Sequence, residues 1–139
     1  MEITYVNDIS VEDYNKLRAS TGWNEMHPTQ AEIGLKNSAY IVAAKDGETT
    51  VGTARVVSDG GHIAFIADVV VLPEYQRKGI GKAMMMMVMD HIDSGMKDGC
   101  SVHAQLMAAK GKEPFYEKFG FVTRPTEEFG AGMSQWIKR

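Results

Sequence analysis

The sequence predicts one α/β domain whose sheet is mixed, twisted and mostly antiparallel, flanked by about four helices. Three observations predict it. Apolar, β-branched runs at Tyr40–Ala44, Thr50–Val57 and His62–Leu72 are separated by the turn sequences Lys45-Asp46-Gly47-Glu48 and Ser58-Asp59-Gly60-Gly61, an antiparallel meander. Next, Ile80, Ala83, Met84, Met87, Val88, His91 and Ile92 recur at steps of three and four, one face of a helix. Finally, the run Cys100–Leu106 follows that helix, so its strand returns parallel to Asp68–Leu72.

The remaining elements follow in order. Ile3–Val6 reads as a first strand. Ser10-Val11-Glu12-Asp13 has the spacing of a capping box, and Val11, Tyr14 and Leu17 stripe the helix it opens, which Gly22 ends. After the loop Trp23–Pro28, Thr29-Gln30-Ala31-Glu32 reads as a second capping box, opening a short helix to about Asn37. Gly52 weakens its strand and marks a bulge. Ser94-Gly95 and Lys97-Asp98-Gly99 break the chain after the long helix. Pro114 fits the first turn of a short helix through Phe119, closed by Gly120. Phe121–Thr123 and Ser134–Ile137 are expected as the last strands, with a flexible segment Arg124–Gly130 between them.

Composition excludes several classes. With 139 residues, 44% hydrophobic and 24% charged, the chain suits one soluble domain spanning 1–139. Its apolar runs are too short for a membrane span, and the start MEITYVND lacks a secretory pattern. A single cysteine, Cys100, fits a reducing compartment, so a cytoplasmic location is expected. A net charge of −3 with scattered basic residues argues against nucleic acid as partner. No metal-ligand spacing emerges, so no metal is expected; Met84–Met87 reads as core packing.

Chemistry concentrates at Gln76–Lys82. Gly79 and Gly81 stand at the mouth of the long helix, where the first N–H groups lack intrahelical partners and the macrodipole is positive. Such a mouth binds anions, phosphate above all, and Arg77, Lys78 and Lys82 add charge. The phosphate loop of nucleotide hydrolases is excluded, because Gln76 and Ala83 replace its first glycine and its hydroxyl. The dinucleotide fingerprint fails at Met84, where a third glycine is required.

What remains, Gln76-Arg77-Lys78-Gly79-Ile80-Gly81 after Val71-Leu72-Pro73-Glu74, resembles the acyl-CoA-binding segment of the GNAT N-acetyltransferase superfamily. Phe115-Tyr116-Glu117-Lys118-Phe119-Gly120-Phe121 is similar to that family's short helix after the fifth strand, so the resemblance covers essentially the whole chain. It implies acetyl-CoA as co-substrate, its diphosphate held by the amides and side chains of Gln76–Lys82. It also implies that Asp68–Leu72 splays from Cys100–Leu106, leaving Val69 and Val71 to pair with pantetheine and a Val70 N–H to face the acyl oxygen. Tyr116 corresponds to the tyrosine that protonates the departing thiolate, against the alternative of core packing beside Phe115 and Phe119. Lys112 and Phe115 fall on the cofactor side. Ala109 replaces an asparagine the family often carries, and Lys112 a small residue.

Aminolysis of a thioester needs an unprotonated amine. Asp68 is the first candidate base, on one strand face with Val70 by simple alternation; its alternative is a structural aspartate. His103 is the second candidate; His62, His27 and His91 rank below it. Trp23, His27 and Phe129, with Trp136, could wall an acceptor pocket, with Glu25, Glu127 or Glu128 drawing an ammonium. The expected function is therefore acetyl transfer to a primary amine of a small molecule. A non-catalytic acyl-CoA-binding regulator and a protein or peptide N-acetyltransferase are the alternatives. Among look-alikes a homodimer through the sheet edge or C-terminal strands is common, and the sequence does not fix it.

Overall fold

The computed structural model describes residues 1–139. Its contacts group into two compact units, Met1–Leu106 and Met107–Arg139.

The first unit is a five-stranded sheet in the order β1-β2-β3-β4-β5 with three helices. Strands β1 (Ile3–Val6), β2 (Tyr40–Asp46), β3 (Thr49–Ser58) and β4 (Ile63–Val71) are antiparallel neighbours. Strand β5 (His103–Leu106) runs parallel to β4, as a strand reached through a helix must. The β2–β3 hairpin turns on Gly47 and Glu48, with a positive φ of 62° at Gly47 that a glycine adopts without strain.

Helix α1 (Val11–Ser20) starts where the capping box places it: Ser10 accepts from the Asp13 amide at 3.1 Å. Tyr14 and Leu17 of its stripe are buried. Helix α2 (Pro28–Lys36) starts two residues earlier than expected. His27, not Thr29, is its N-cap, with Nδ1 accepting from the Thr29 amide at 3.2 Å. Pro28 decides this, because its fixed φ suits the first helical position and its missing N–H is no loss there.

Helix α3 (Ile80–Ser94) buries Ile80, Met84, Met85 and Val88. Met85 was absent from the expected stripe, and Met86 is the methionine that points to solvent. A Cβ on Gly52 would stand 3.1 Å from the Met84 terminal methyl, so α3 covers the sheet face of Gly52, Ala54 and Val56. Helix α1 packs on β3 and β4 from the opposite face. Val42, Ala43 and Ala44 are all fully buried between these layers, which is why β2 reads as a continuous apolar run. Each fully buried side chain of valine size or larger contributes about 1.5–3 kcal/mol. No helix is long and apolar enough to cross a membrane.

Two bulges shape the sheet. Ala44 faces Gly52 and Lys45 faces Thr50, so Val51 is an extra residue in β3 beside the expected Gly52. In β4, Arg55 faces Ala67 while Thr53 faces Val70, so Asp68 and Val69 together oppose Ala54. The second bulge was not expected.

The second unit is built on α4 (Glu113–Glu117), closed by Gly120 at φ 90°. Phe115 meets Tyr116 and Phe119 edge-on, with centroids 5.0 and 5.5 Å apart, and Tyr116 meets Phe121 at 6.4 Å. The expected strands Phe121–Thr123 and Ser134–Ile137 are not formed. Alternating apolar residues become a strand only where a neighbouring backbone completes the ladder, and Met133, Trp136 and Ile137 are exposed. Arg124–Gly130 is a closed turn rather than a loose segment: Arg124 Nε donates to the Gly130 carbonyl at 2.7 Å, and the Thr126 amide to the Phe129 carbonyl at 2.8 Å.

Candidate active site

The β4–β5 ladder runs from Ile63↔His103 to Ile66↔Leu106 and ends there. Strand β5 therefore lies beside the first half of β4, not beside Asp68–Leu72 as first expected. From Ala67 to Val71, β4 is paired on its β3 side alone. The Leu72 amide donates to the Val51 carbonyl at 2.9 Å, so Leu72 turns its main-chain groups to β3. Alternation then turns those of Val70 to β3 as well, and those of Val69 and Val71 to the open edge. Val70 is buried and in register with Thr53, so its N–H belongs to the ladder and not to the gap.

After Val71 the chain makes a 3₁₀ turn, Pro73–Tyr75, and the loop into α3. The Gln76 side chain donates to the Val71 carbonyl at 3.0 Å, tying the loop to the strand. That leaves the Val69 carbonyl and the Val69 and Val71 amides on the open edge. Tyr75 donates to Asp46 at 2.6 Å, and Lys78 Nζ lies 5.6 Å over its ring. Arg77 and Gly79 hold positive φ, 64° and 84°. Left-handed residues in a turn are one way a main chain builds a concave array of N–H groups. Gly79 is the N-cap of α3 and supplies no side-chain hydrogen bond, so the helix mouth keeps its amides for a ligand. The space where its Cβ would stand is open to 4 Å. Arg77, Lys78 and Lys82 are exposed around this mouth. A pantetheine-like amide chain fits the open edge as a strand would, and a diphosphate fits the helix mouth.

Asp68 is not a free carboxylate. Its Oδ1 accepts from Arg18 Nη1 at 2.7 Å, and its Oδ2 accepts from Tyr14 Oη and Arg55 Nε, each at 2.7 Å. The expectation of a general base meets a carboxylate engaged on three sides. Burial, and then the Asp68 charge, push the Tyr14 phenol up from its ordinary value, so it remains a neutral donor. Arg18 also lies over the Tyr14 and Trp23 rings, at 5.9 and 5.4 Å. Sequence reasoning missed Tyr14, Arg18 and Arg55. A signal existed: Arg55 and Asp68 are lone charges in otherwise apolar strands, and buried charges need partners.

The remaining candidates have contacts of their own. His103 is in register with Ile63 at the closed end of the ladder, away from the fork at Leu106. His91 stacks on Tyr40 at 4.3 Å, and His62 is exposed. Of the acceptor-side residues, Trp23 is held against Arg18, His27 caps α2, and Phe129 carries the Arg124 guanidinium 5.2 Å over its ring. An open groove bordered by Asp8, Glu32, Leu35 and Tyr40 contains none of the expected residues.

Within the second unit, Tyr116 is 9% exposed, and burial raises its phenol above the ordinary value. The proton is thereby held on oxygen at neutral pH, the state a proton donor needs. Phe115 is half-buried beside it, and Lys112 is exposed at the N-cap of α4.

The chain is similar to known proteins in sequence and in fold. A family model described as an acetyltransferase (GNAT) domain matches residues 36–123. An uncharacterized N-acetyltransferase, ycf52, of Pyropia yezoensis is 30% identical over 122 residues, covering 85% of this chain and 68% of the relative. The crystal structure of a probable acetyltransferase from meticillin-resistant Staphylococcus aureus superposes with a TM-score of 0.86 at 33% identity, covering 99% of this chain and 100% of that one. A GNAT family protein of Streptococcus pneumoniae gives 0.77 at 28% identity, covering 99% of each chain. The open β4 edge and the uncapped mouth of α3 thus belong to an acetyltransferase fold. The chain is a member of the GNAT family of N-acetyltransferases.

Proposed function

We propose that the chain moves an acetyl group from acetyl-CoA to the primary amine of a small molecule, by direct attack of the amine on the thioester. The observation that carries this reading is the continuity of two features within one segment. An edge of unpaired amides at Val69 and Val71 leads directly into an uncapped helix mouth at Gly79.

On this reading the amides and cations of Gln76–Lys82 hold the diphosphate, with Lys112 and Phe115 contributing on the cofactor side. The open edge aligns the pantetheine arm, and one of its amides donates to the acyl oxygen as negative charge develops there. The amine nitrogen bonds to the acyl carbon, the carbon–sulfur bond breaks, and Tyr116 gives its proton to the departing thiolate. The ammonium gives one proton to solvent before attack. The proton lost from nitrogen after the carbon–nitrogen bond forms returns through solvent to Tyr116, since Asp68 is engaged and His103 lies at the closed end of the ladder. Trp23, His27 and Phe129 are the acceptor-side residues of this proposal.

The test is a screen of polyamines, arylalkylamines, amino sugars and peptides for release of free CoA thiol. Turnover of a small amine supports the reading. Turnover of peptides alone moves the acceptor to protein, and silence with intact CoA binding makes the chain a regulator.

A further inference from the structure

Strand β4 changes parity at Asp68. Ahead of it, the His62 carbonyl accepts from the His103 amide, so even-numbered residues turn their main-chain groups to β5. Ile66, in register with Val56, packs its side chain on the α3 face. Past the bulge the rule is reversed. Val71, in register with Gly52, now stands on the α3 face, and the odd-numbered Val69 and Val71 turn their amides to the open edge. Without the extra residue, Val70 would face that edge, and Val69 and Val71 would be spent in the β3 ladder. The bulge selects which amides are offered.

Asp68 holds the bulge at a φ of 55°, a left-handed conformation that aspartate tolerates better than most residues but does not prefer. Its carboxylate is gripped from two elements: Tyr14 and Arg18 on α1, and Arg55 on the adjoining strand β3. The guanidiniums are themselves fixed. Arg18 Nε donates to the Asn24 carbonyl at 2.7 Å, and Arg55 Nη1 donates to Ser38 Oγ at 3.1 Å and the Gly34 carbonyl at 3.3 Å. The side chains of Asp68 and Arg18 are 11% and 10% exposed, so the grip is shielded from water. Three of a carboxylate's roughly four acceptor positions are filled, which suits an anchor.

We infer that Asp68 is a positioning residue: clamped by Tyr14, Arg18 and Arg55, it fixes the β4 bulge that presents the Val69 and Val71 amides, in place of Val70's, to the acyl group. The clamp stands on geometry alone; its consequence for turnover rests on the acetyl-transfer reading.

The experiment compares wild type with Asp68→Asn, Tyr14→Phe and the double variant, by amide hydrogen exchange, CoA titration and steady-state kinetics. Asparagine keeps the size and the tolerance for positive φ but removes the charge that holds two guanidiniums. In Asp68→Asn, exchange at the Val70 amide should accelerate by about tenfold or more as the ladder bond to Thr53 is lost from the fixed register. Each single variant should lower kcat about tenfold with CoA affinity within about threefold, and the double should be no worse than Asp68→Asn, as members of one unit behave. Unchanged exchange at Val69–Val71 in Asp68→Asn overturns the clamp. So does a near-normal Tyr14→Phe whose effect multiplies with that of Asp68→Asn, the pattern of a base acting alone. Should Asp68→Asn fail to fold, Tyr14→Phe removes one donor without a charge and carries the same exchange test. Should wild type acetylate no amine, exchange still reads the clamp, so the two ideas fail separately.

Discussion

Arg18 Nη1 meets Asp68 Oδ1 at 2.7 Å, joining helix α1 to strand β4 across fifty residues of chain with both side chains almost out of water. Arg55 makes the second pair to the same carboxylate. Removing the shared partner strands two guanidiniums, whereas removing Arg18 leaves the carboxylate neutralised. Asp68→Ala should therefore lose about 3–5 kcal/mol of stability and Arg18→Leu clearly less. Urea unfolding of both variants checks the order. Equal losses would mean that the Arg55 pair contributes nothing once Arg18 is gone.

Gly52 is tight for a different reason. A Cβ there would stand 3.1 Å from the Val70 carbonyl oxygen and 3.1 Å from the Met84 methyl. The methyl can swing aside; the carbonyl belongs to the β3–β4 ladder and cannot. Gly52→Ala is expected to cost about 1–3 kcal/mol as an overpacked site, read as a lower unfolding midpoint at unchanged m-value. A neutral or stabilising result would show that β4 shifts freely past Gly52.

Much of this was legible in the sequence, and what was not has a common cause. The Ser10 cap, the Gly47 hairpin, the α3 stripe and the Gly79 mouth are written in residues close together in the chain, where local geometry decides. The β4 bulge is fixed by Tyr14, Arg18 and Arg55, which lie 54, 50 and 13 residues from Asp68, so nothing within β4 itself announces it, and the Val70 N–H that the resemblance placed at the acyl oxygen turns to β3 instead. The C-terminal strands failed similarly: Ser134–Ile137 alternates like a strand, but pairing needs an edge that pattern alone does not supply. His27 rather than Thr29 caps α2 because Pro28, which closes the loop by composition, also suits the first helical position.

Tyr116→Phe keeps the ring and removes the proton. CoA binding should be unchanged while kcat falls about tenfold to a hundredfold or more, the range of general acid catalysis. Because burial raises the phenol above its ordinary value of 10.0, the protonated form persists up to that pH and is lost only as pH rises beyond it. Below pH 10, then, the kcat profile should show no alkaline fall from this group. Unchanged kcat in Tyr116→Phe would remove the residue from the reaction.

Gly79→Ala tests the helix mouth. The space is open, so the strain comes from the backbone: a φ of 84° is unfavourable once a Cβ is present, by about 1–2 kcal/mol. The loop should relax away from its left-handed turn, and the dissociation constant for CoA should rise about tenfold or more while the sheet core stays intact. Normal CoA affinity in this variant would place the diphosphate elsewhere.

The most direct test of the whole account is a titration of the isotope-labelled protein with CoA, following backbone amides by NMR. The account predicts one saturable site whose occupancy shifts the amides of Val69, Val71 and Gly79–Gly81 together. At a hundredfold excess over the dissociation constant, binding should also stabilise the fold by about 2.7 kcal/mol. Binding with no shift at those amides, or no binding at all, would contradict it.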